Sequence, residues 1–361
     1  MKKRDFLKSG LYAIGGLGLY SSSVTSWASS KPSVKGEKPV YLSSTRNKRE
    51  KVLAVLDQSK PNEYVPAAFF LHFDKKLGQG AIDRHLDFFR ATNMDFVKIQ
   101  YEIVLPRLEN IKSPKDWSKI PVYDKDFFEP QLAVIRALAK ELKSEALILP
   151  TVYSPLSLAG QTVGEKTLEL IIEDPEAAKK GFENLTQSIL NFLHESLQQG
   201  ADGFYISSQG GDASRFGDGP IFKDLIAPFD KVISQEASDK ALLNILHICD
   251  YGNATYDDIN QFVSYPGSII NPPIHKTDGS HIDLKEVQQT FKRPMFGGLD
   301  RLGVLAKGTS EQAKAEVDKV LSNAPANFIL GADCTVPSET SWKHLRDVID
   351  YAHTWRTDHQ N

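Results

Sequence analysis

Three side chains of this sequence carry atoms that bind soft metal ions. His247 and Cys249 lie two residues apart in the segment LLNILHICDYGN, and Cys334 ends the segment FILGADC. One imidazole and two thiolates, with a fourth position left open, make up the ligand set of a catalytic zinc site. A thiol bound to such an ion is held as a thiolate near neutral pH, which makes its sulfur a nucleophile. These residue types therefore predict metal-assisted chemistry.

The chain has only these two cysteines, and two other interpretations of them are open. They could pair as a disulfide, which an oxidising compartment permits. They could also be buried as small apolar side chains, with His247 hydrogen-bonded in the core. The zinc interpretation requires both sulfurs and the imidazole to reach one point, so it depends on the elements that carry them.

Those elements form an alternating pattern of apolar, strand-like runs and amphipathic stretches with helical spacing. Eight runs have the length and composition of strands: residues 65–73, 95–100, 146–154, 203–209, 242–249, 268–274, 294–300 and 327–334. Strands that alternate with helices are joined by crossovers and pair in parallel. The count predicts an α/β fold, a single (β/α)8 TIM barrel. A doubly wound open sheet is the alternative, but no Gly-x-Gly-x-x-Gly follows the first run.

A barrel would explain how the three side chains meet. Residues i and i+2 of a strand project to the same face, so His247 and Cys249 would lie side by side. Active sites of these barrels lie at the carboxyl ends of the strands, where Cys334 closes the eighth run. Other polar residues at strand ends are candidates for the same site. We expect catalytic roles for Glu102 and Tyr153, and substrate binding by His72, Gln209 and Asp300.

Several residues near these strand ends have more than one possible role. Glu102 could be a general base, a fourth zinc ligand or a solvated carboxylate at the rim. His72 could orient substrate or serve a structural purpose. Asp300 and Arg301 could form an ion pair that braces the seventh loop. Asp333 could accept a hydrogen bond from the imidazole of a ligand histidine.

The N-terminus is predicted to be an export signal. A basic segment, MKKRDFLKSG, is followed by the mildly apolar LYAIGGLGLY and the polar SSSVTSWASS, with a cleavage point after Ala28. KRDFLK resembles a twin-arginine signal in which Lys3 replaces the first arginine. We therefore expect a periplasmic or otherwise exported protein; an uncleaved membrane anchor is the alternative. The expected organisation is a signal peptide (1–28), a linker and N-terminal helix (29–63), the barrel (64–356) and a tail (357–361).

The composition is that of an ordinary globular protein. The chain has 361 residues, of which 41% are hydrophobic, and its net charge is −3. A near-neutral charge gives no electrostatic reason to expect a nucleic-acid partner. No apolar stretch reaches the roughly 20 residues needed to cross a bilayer, so we expect no membrane span in the mature chain.

From about residue 64 to residue 355, the sequence resembles the uroporphyrinogen decarboxylase superfamily. The segments that carry the resemblance are YVPAAFFLHF, MDFVKIQYE, LPTVYSPLSLAG, IIEDPEAAKKGFENLTQSI, GADGFYISSQGG, LHICDYGN, FGGLDR and FILGADCTVPSETSWKHLRDVIDYA. This superfamily includes the decarboxylase itself and the zinc-dependent corrinoid:thiol methyltransferases. The resemblance implies a (β/α)8 barrel, in agreement with the count of strand-like runs.

The methyltransferase branch carries His-x-Cys after the fifth strand and a further cysteine after the eighth. His247, Cys249 and Cys334 match this pattern residue by residue, although Asp250 stands where the branch usually has glycine. The resemblance implies Zn2+ as cofactor, a thiol as the methyl acceptor and a corrinoid or other methyl donor, with a corrinoid protein as a possible partner. This is the favoured function.

The decarboxylase branch binds substrate carboxylates through an arginine-rich motif near its first strand, which FFLHFDKK lacks. Glu102 falls about where that branch has an aspartate, and Tyr153 could match its tyrosine, but GADC lacks its late histidine. A decarboxylase-like activity on uroporphyrinogen or another tetrapyrrole, with Glu102 in place of the aspartate, is the second hypothesis. A non-catalytic periplasmic binder of tetrapyrrole, corrinoid or metal is the third.

Overall fold

The computed structural model of the chain describes residues 47–60, 63–100, 103–217, 219–252 and 254–359. The signal predicted for residues 1–28, most of the linker that follows it and the candidate residue Glu102 lie outside these ranges. Every element described below lies within residues 47–361.

Seven strands form one parallel sheet, in which each strand pairs with the next one along the chain. They are β1 (Phe96–Ile99), β2 (Leu147–Tyr153), β3 (Gly203–Ser208), β4 (Leu243–Ile248), β5 (Ile269–Asn271), β6 (Met295–Leu299) and β7 (Phe328–Ala332). Each strand lies inside one of the predicted runs, and nearly all of their residues are buried. Parallel strands covered on both faces carry such continuous apolar runs. The α/β class and the parallel pairing are confirmed.

The prediction of eight strands is wrong for the first run, residues 65–73, because seven strands are found in the described residues. This segment forms one isolated parallel bridge, between Ala67 and Leu330 of β7. Pro66 has no N–H to donate. The N–H of Ala67 donates to the Asp95 carboxylate at 2.8 Å instead of to a strand carbonyl. A side chain thus replaces part of the ladder, and the run does not meet the definition of a strand.

Helices follow most strands. They are α1 (Lys48–Ala54), α2 (Gly78–Thr92), α3 (Lys125–Leu142), α4 (Pro155–Val163), α5 (Thr167–Glu173), α6 (Pro175–Gln198), α7 (Ala227–Lys240), α8 (Leu284–Phe291), α9 (Val304–Lys307), α10 (Ser310–Asn323) and α11 (Trp342–Asp358). Short 3-10 turns occupy Pro114–Lys119, Gly164–Lys166 and Asn260–Phe262, and a π-helical turn, Phe222–Ile226, precedes α7. Within the described residues, every helix is too short or too polar to span a lipid bilayer.

Helix α6 shows how the sequence sets these elements. Its N-cap is Asp174, whose carboxylate accepts a hydrogen bond from the N–H of Ala177 at 3.0 Å. Pro175 follows at the first helical position, where a missing N–H costs nothing. Apolar residues recur at helical spacing and bury one face of the helix, as Phe182, Leu185 and Ile189 illustrate.

Aromatic side chains from three strands and from the first predicted run pack against one another. The ring of Phe70 contacts those of Phe96, Tyr205 and Phe296, with centroids 5.5–5.7 Å apart. These four side chains are all buried. Their packing fixes the inner face of β3, the strand that lies beside β4 and its His-x-Cys sequence.

Candidate metal centre

The structure brings His247, Cys249 and Cys334 together. His247 lies in β4, in register with Ser207 of β3 and Asn271 of β5. Cys249 continues the β4 ladder by one residue, because its N–H donates to the carbonyl of Ser208 at 3.0 Å. Cys334 stands two residues beyond the end of β7. One ligand atom from each of the three side chains lies within 4.8 Å of the other two.

The imidazole of His247 is buried beside the thiol of Cys334, which interacts with it. Only 1% of its surface is exposed. Within the described part of the chain, neither ring nitrogen has a hydrogen-bonding partner of acceptable geometry. Buried polar atoms are almost always satisfied, because an unmade hydrogen bond costs about 1–3 kcal/mol. The imidazole is therefore suited to bind a ligand that the protein atoms do not supply.

The two thiols interact with each other, and neither cysteine forms a disulfide bond. A hydrogen bond with the Cys334 thiol lowers the pKa of Cys249 to about 7, although burial opposes the shift. The same hydrogen bond and burial raise the pKa of Cys334 well above its usual range. Such a pair holds one proton near neutral pH and gives up the second with difficulty.

These side chains fit a soft divalent cation. A cation would replace the proton shared by the thiols, because metal binding requires deprotonated sulfur. It would also give a partner to a ring nitrogen of His247. Three ligands of this kind leave a fourth position open, as in catalytic zinc sites.

A cavity of about 900 Å³ opens at these three residues. Three further predicted site residues line it: His72, which is exposed, and Tyr153 and Gln209, which are half-buried. Asp300, which was expected to bind substrate, is not among the lining residues. Its carboxylate Oδ2 lies 3.5 Å from Nε2 of His275.

Gln209 contacts the metal-ligand candidates through its amide. Its Nε2 lies 3.6 Å from Sγ of Cys249, and its Oε1 accepts a hydrogen bond from Arg215 at 3.1 Å. The Arg215 guanidinium is held in turn by Asp212, with Nε and Oδ2 2.6 Å apart. Because Arg215 occupies the amide oxygen, the amide nitrogen is directed at the sulfur. The structure thus places Gln209 beside a ligand atom as well as in the cavity wall.

Asp300 and Arg301, which could have formed an ion pair with each other, make other contacts. Arg301 pairs with Asp250 and Asp333, each of which stands next to a candidate cysteine in the sequence. Both oxygens of Asp333 are used by Arg301, so the expected bond from this carboxylate to an imidazole is not what orients His247. The ring of His247 instead stacks on Tyr205, with centroids 4.9 Å apart.

Sequence reasoning missed three residues near this site, Lys98, Tyr205 and Arg215, and considered a different partner, Asp300, for Arg301. Lys98 and Tyr205 lie within apolar strand runs, and each lines the cavity. An alternating strand pattern could have indicated that both face the interior. Arg215 and Arg301 lie in loops, where partners distant in sequence decide the role. No local signal identifies those partners.

Comparisons with known proteins agree with this architecture. The sequence model of the family described as uroporphyrinogen decarboxylase (URO-D) matches residues 91–355. No curated protein gives a significant sequence match. Among solved structures, a methyltransferase from Methanosarcina mazei is similar, with a TM-score of 0.68 and 14% identity over 87% of this chain and 99% of that one.

Two methionine synthases that do not use vitamin B12 resemble the chain less closely. The enzyme from Shewanella sp. W3-18-1 has a TM-score of 0.47 and 12% identity over 83% of this chain and 95% of its own. The one described as putative, from Listeria monocytogenes, has a TM-score of 0.48 and 13% identity, covering 80% and 98%. At these identities the likeness to any of the three solved structures is a likeness of fold.

Proposed function

The chain belongs to the uroporphyrinogen decarboxylase (URO-D) family, and within that family we propose that it is a zinc-dependent methyltransferase that acts on a thiol. The observation that carries the proposal is the convergence of His247, Cys249 and Cys334 in the wall of one cavity. When bound there, zinc would keep a substrate thiol deprotonated near neutral pH. The similarity in fold to a methyltransferase from Methanosarcina mazei supports the same branch of the family.

The reaction is a displacement at a methyl carbon. The sulfur lone pair of the acceptor forms the new C–S bond, and the electron pair of the broken bond leaves with the donor, a corrinoid or another methyl carrier. The thiol proton is released to solvent. The cavity wall positions the acceptor, and its volume of about 900 Å³ leaves room for part of the donor. A corrinoid protein is a possible partner.

Residues of this chain assist in three ways. Gln209 donates its amide N–H towards the sulfur of Cys249 and so stabilises negative charge on it. Tyr153, at the last position of β2, lines the cavity, and we assign it a role beside the substrate. We assign the third role to Glu102, as a base or as a fourth metal ligand, from its position in the sequence alone.

A second candidate function is favoured by the cations near the cavity. Lys76, Lys98 and Arg215 all line it, and Glu165 is the only carboxylate among the described lining residues. Such a wall suits a substrate with several carboxylates. A decarboxylase-like activity on a tetrapyrrole is therefore the alternative, and binding of a tetrapyrrole or corrinoid without turnover is the third.

We also propose that the protein acts outside the cytoplasm, because residues 1–28 have the pattern of an export signal. Fractionation of cells, followed by N-terminal sequencing, tests this: the mature chain should begin at residue 29.

We further propose that residues 65–73 complete a closed barrel. Backbone bonds support this, since Ala68 N donates to Leu330 O at 3.0 Å and Asp95 N donates to Ala67 O at 3.0 Å.

Elemental analysis of the purified full chain tests the metal-dependent function. We expect about one zinc ion per chain and its loss in Cys334→Ser and His247→Ala. His194→Ala is the matched control, because that histidine pairs with Glu236 on the outer helices α6 and α7 and should have no effect on zinc.

Activity assays then separate the three functions. Methyl transfer from methylcobalamin to a small thiol, lost in Cys334→Ser, supports the methyltransferase. Turnover of uroporphyrinogen by metal-free protein would support the decarboxylase instead. Tight binding of a tetrapyrrole or corrinoid with no product in either assay would support the third function, binding without catalysis. A zinc content near zero in protein isolated with metal present would contradict the proposal.

A further inference from the structure

Arg301 connects the two segments that carry the cysteines. It follows β6 by two residues, and its Nη1 lies 2.7 Å and 2.8 Å from the two carboxylate oxygens of Asp250. The same nitrogen lies 2.5 Å from Oδ2 of Asp333. Asp250 directly follows Cys249, and Asp333 directly precedes Cys334. One guanidinium thus joins the ends of β4 and β7 at the positions next to both sulfurs.

The backbone strengthens this connection. The N–H of Arg301 donates to Oδ1 of Asp333 at 2.8 Å, so both oxygens of that carboxylate are bound by one residue. The N–H of Asp333 donates to the carbonyl of Leu299, the last residue of β6, at 3.0 Å. The segment that leads into Cys334 is therefore attached to β6 by the main chain and by Arg301.

The three side chains of this network are also buried. The exposed fractions of the side chains are 11% for Arg301, 5% for Asp250 and 0% for Asp333. A buried ion network gains little net stability over apolar residues of the same shape, because removing charges from water is costly. Its effect is greater on geometry, since several short, charge-assisted hydrogen bonds fix the groups they join.

From this arrangement we infer that Arg301 is a positioning residue for the candidate metal centre, and that it sets the distance between the sulfurs of Cys249 and Cys334. The inference concerns the same site as the proposed function, but the spacing of the thiols exists with or without a metal. Without the side chain of Arg301, the end of β7 keeps its main-chain bond to β6 but loses its attachment to β4, and the separation of the two sulfurs is less tightly fixed.

Arg293 offers a matched control. It precedes β6, whereas Arg301 follows it, so the two arginines lie at opposite ends of one strand. Arg293 is also partly buried, and its guanidinium donates to the carbonyls of Tyr265 and Gly267 at 3.0 Å and 2.8 Å. Replacing either arginine by glutamine removes a buried cation and its hydrogen bonds. Only Arg301 contacts residues next to the cysteines.

The first experiment measures thiol spacing in metal-free full-length protein. Phenylarsine oxide forms a stable ring only with two thiols that lie close together, so its affinity reports their separation. We expect Arg301→Gln to weaken the arsenical complex about 10-fold or more, and Arg293→Gln and Arg301→Lys to weaken it much less. Equal affinity in Arg301→Gln and the wild type would overturn the inference.

The second experiment uses cobalt(II) and zinc. We expect Arg301→Gln to bind zinc about 10–100-fold more weakly in competition with a chelator and to lose part of the thiolate-to-cobalt charge-transfer absorption. Unchanged zinc affinity and an unchanged cobalt spectrum would also contradict the inference. If Arg301→Gln does not fold, Asp250→Ala serves as the second variant, because it removes the attachment on the β4 side and leaves Arg301 bound to Asp333.

The two experiments distinguish failure of this inference from failure of the proposed function. A wild-type protein that binds arsenical tightly but no zinc disproves the metal-dependent function and leaves the role of Arg301 to be judged from the arsenical data. If the wild-type protein binds zinc and Arg301→Gln binds it equally well, the proposed function stands and the positioning role of Arg301 is disproved.

Discussion

The ring of Tyr205 stacks on the ring of His247, with centroids 4.9 Å apart and planes inclined by 27°. The hydroxyl of Tyr205 donates to Oδ1 of Asn271 at 2.6 Å. The amide nitrogen of Asn271 donates in turn to the carbonyls of Phe296 and Ala332. An imidazole that binds a metal is commonly oriented by a hydrogen bond to its second nitrogen. Here an aromatic face, fixed by a buried amide, orients the ring.

Substitutions of Tyr205 should therefore separate stability from metal binding. Tyr205→Phe keeps the stacked ring but leaves Oδ1 of Asn271 without its donor, so we expect a loss of about 1–3 kcal/mol in unfolding free energy and little change in zinc affinity. Tyr205→Leu removes the stack, and we expect zinc affinity to fall several-fold more than in Tyr205→Phe. Urea unfolding and chelator competition measure the two quantities. Equal zinc affinity in both variants would contradict this role of the ring.

The thiol pair should titrate at two well-separated pH values in metal-free protein. Since the hydrogen bond with Cys334 lowers the pKa of Cys249 to about 7, thiolate absorbance at 240 nm should rise by one group near that pH. Cys334→Ala removes the hydrogen bond, so the rise should move to higher pH. Cys334→Ser keeps a donor and should shift it less. The chain has only two cysteines, so Cys249→Ala should abolish the step; a step near pH 7 that persists there would refute the assignment.

Asp230 should make the protein less stable as the pH rises from about 4 to about 7. Burial raises its pKa to about 7, although hydrogen bonds from Ser208 and Tyr265 oppose the shift. An unfolded aspartate has a pKa of about 3.9. The folded state therefore binds more protons between about pH 4 and pH 7, and stability falls as pH rises through that window.

We accordingly expect Asp230→Asn to be more stable than the wild type at pH 8, by roughly 2–4 kcal/mol, and to show no such gain near pH 4. Urea unfolding at both pH values measures this. Asp239→Asn, a substitution at an exposed position of the same helix, is the control. It should change the unfolding free energy by the same small amount at both pH values. A gain for Asp230→Asn that does not depend on pH would show that ionisation of Asp230 is not its cause.

Gly331 of β7 should not accept a side chain. A Cβ there would lie 2.1 Å from a ring carbon of Phe296 and 3.0 Å from the carbonyl oxygen of Ala68. We expect Gly331→Ala to cost about 1–3 kcal/mol of unfolding free energy. Gly160→Ala is the control, since its Cβ would meet no atom within 4 Å, and in a helix it should be neutral or slightly stabilising. Similar unfolding curves for the two variants would disprove the steric argument.

Much of the fold could be predicted from sequence because parallel strands covered by helices are continuous apolar runs. Seven of the eight predicted runs contain a strand, and most bounds differ by one or two residues. The first run is apolar for the same reason, since it is buried, but Pro66 and the Asp95 carboxylate change its hydrogen bonding. A pattern of apolar residues predicts which segment is buried, but it does not predict which group accepts a hydrogen bond from each backbone N–H.

The meeting of His247, Cys249 and Cys334 could be anticipated because strand ends of a parallel sheet lie at one edge. The contacts around them could not. Asp300 and Arg301 are neighbours in sequence, yet Arg301 turns to Asp250 and Asp333, and Asp300 lies near His275. Which partner each side chain pairs with depends on the distances between loops, and a local sequence pattern does not predict those distances.

The placement of Cys334 also has a consequence for biosynthesis. The ligand candidates on β4 emerge from the ribosome well before β7, and the sulfur that completes the set follows β7. A nascent chain that has reached only Cys249 offers one imidazole and one thiol, which bind a divalent ion weakly. A metal ion at the candidate centre would therefore gain its third ligand only after β7 has been synthesised.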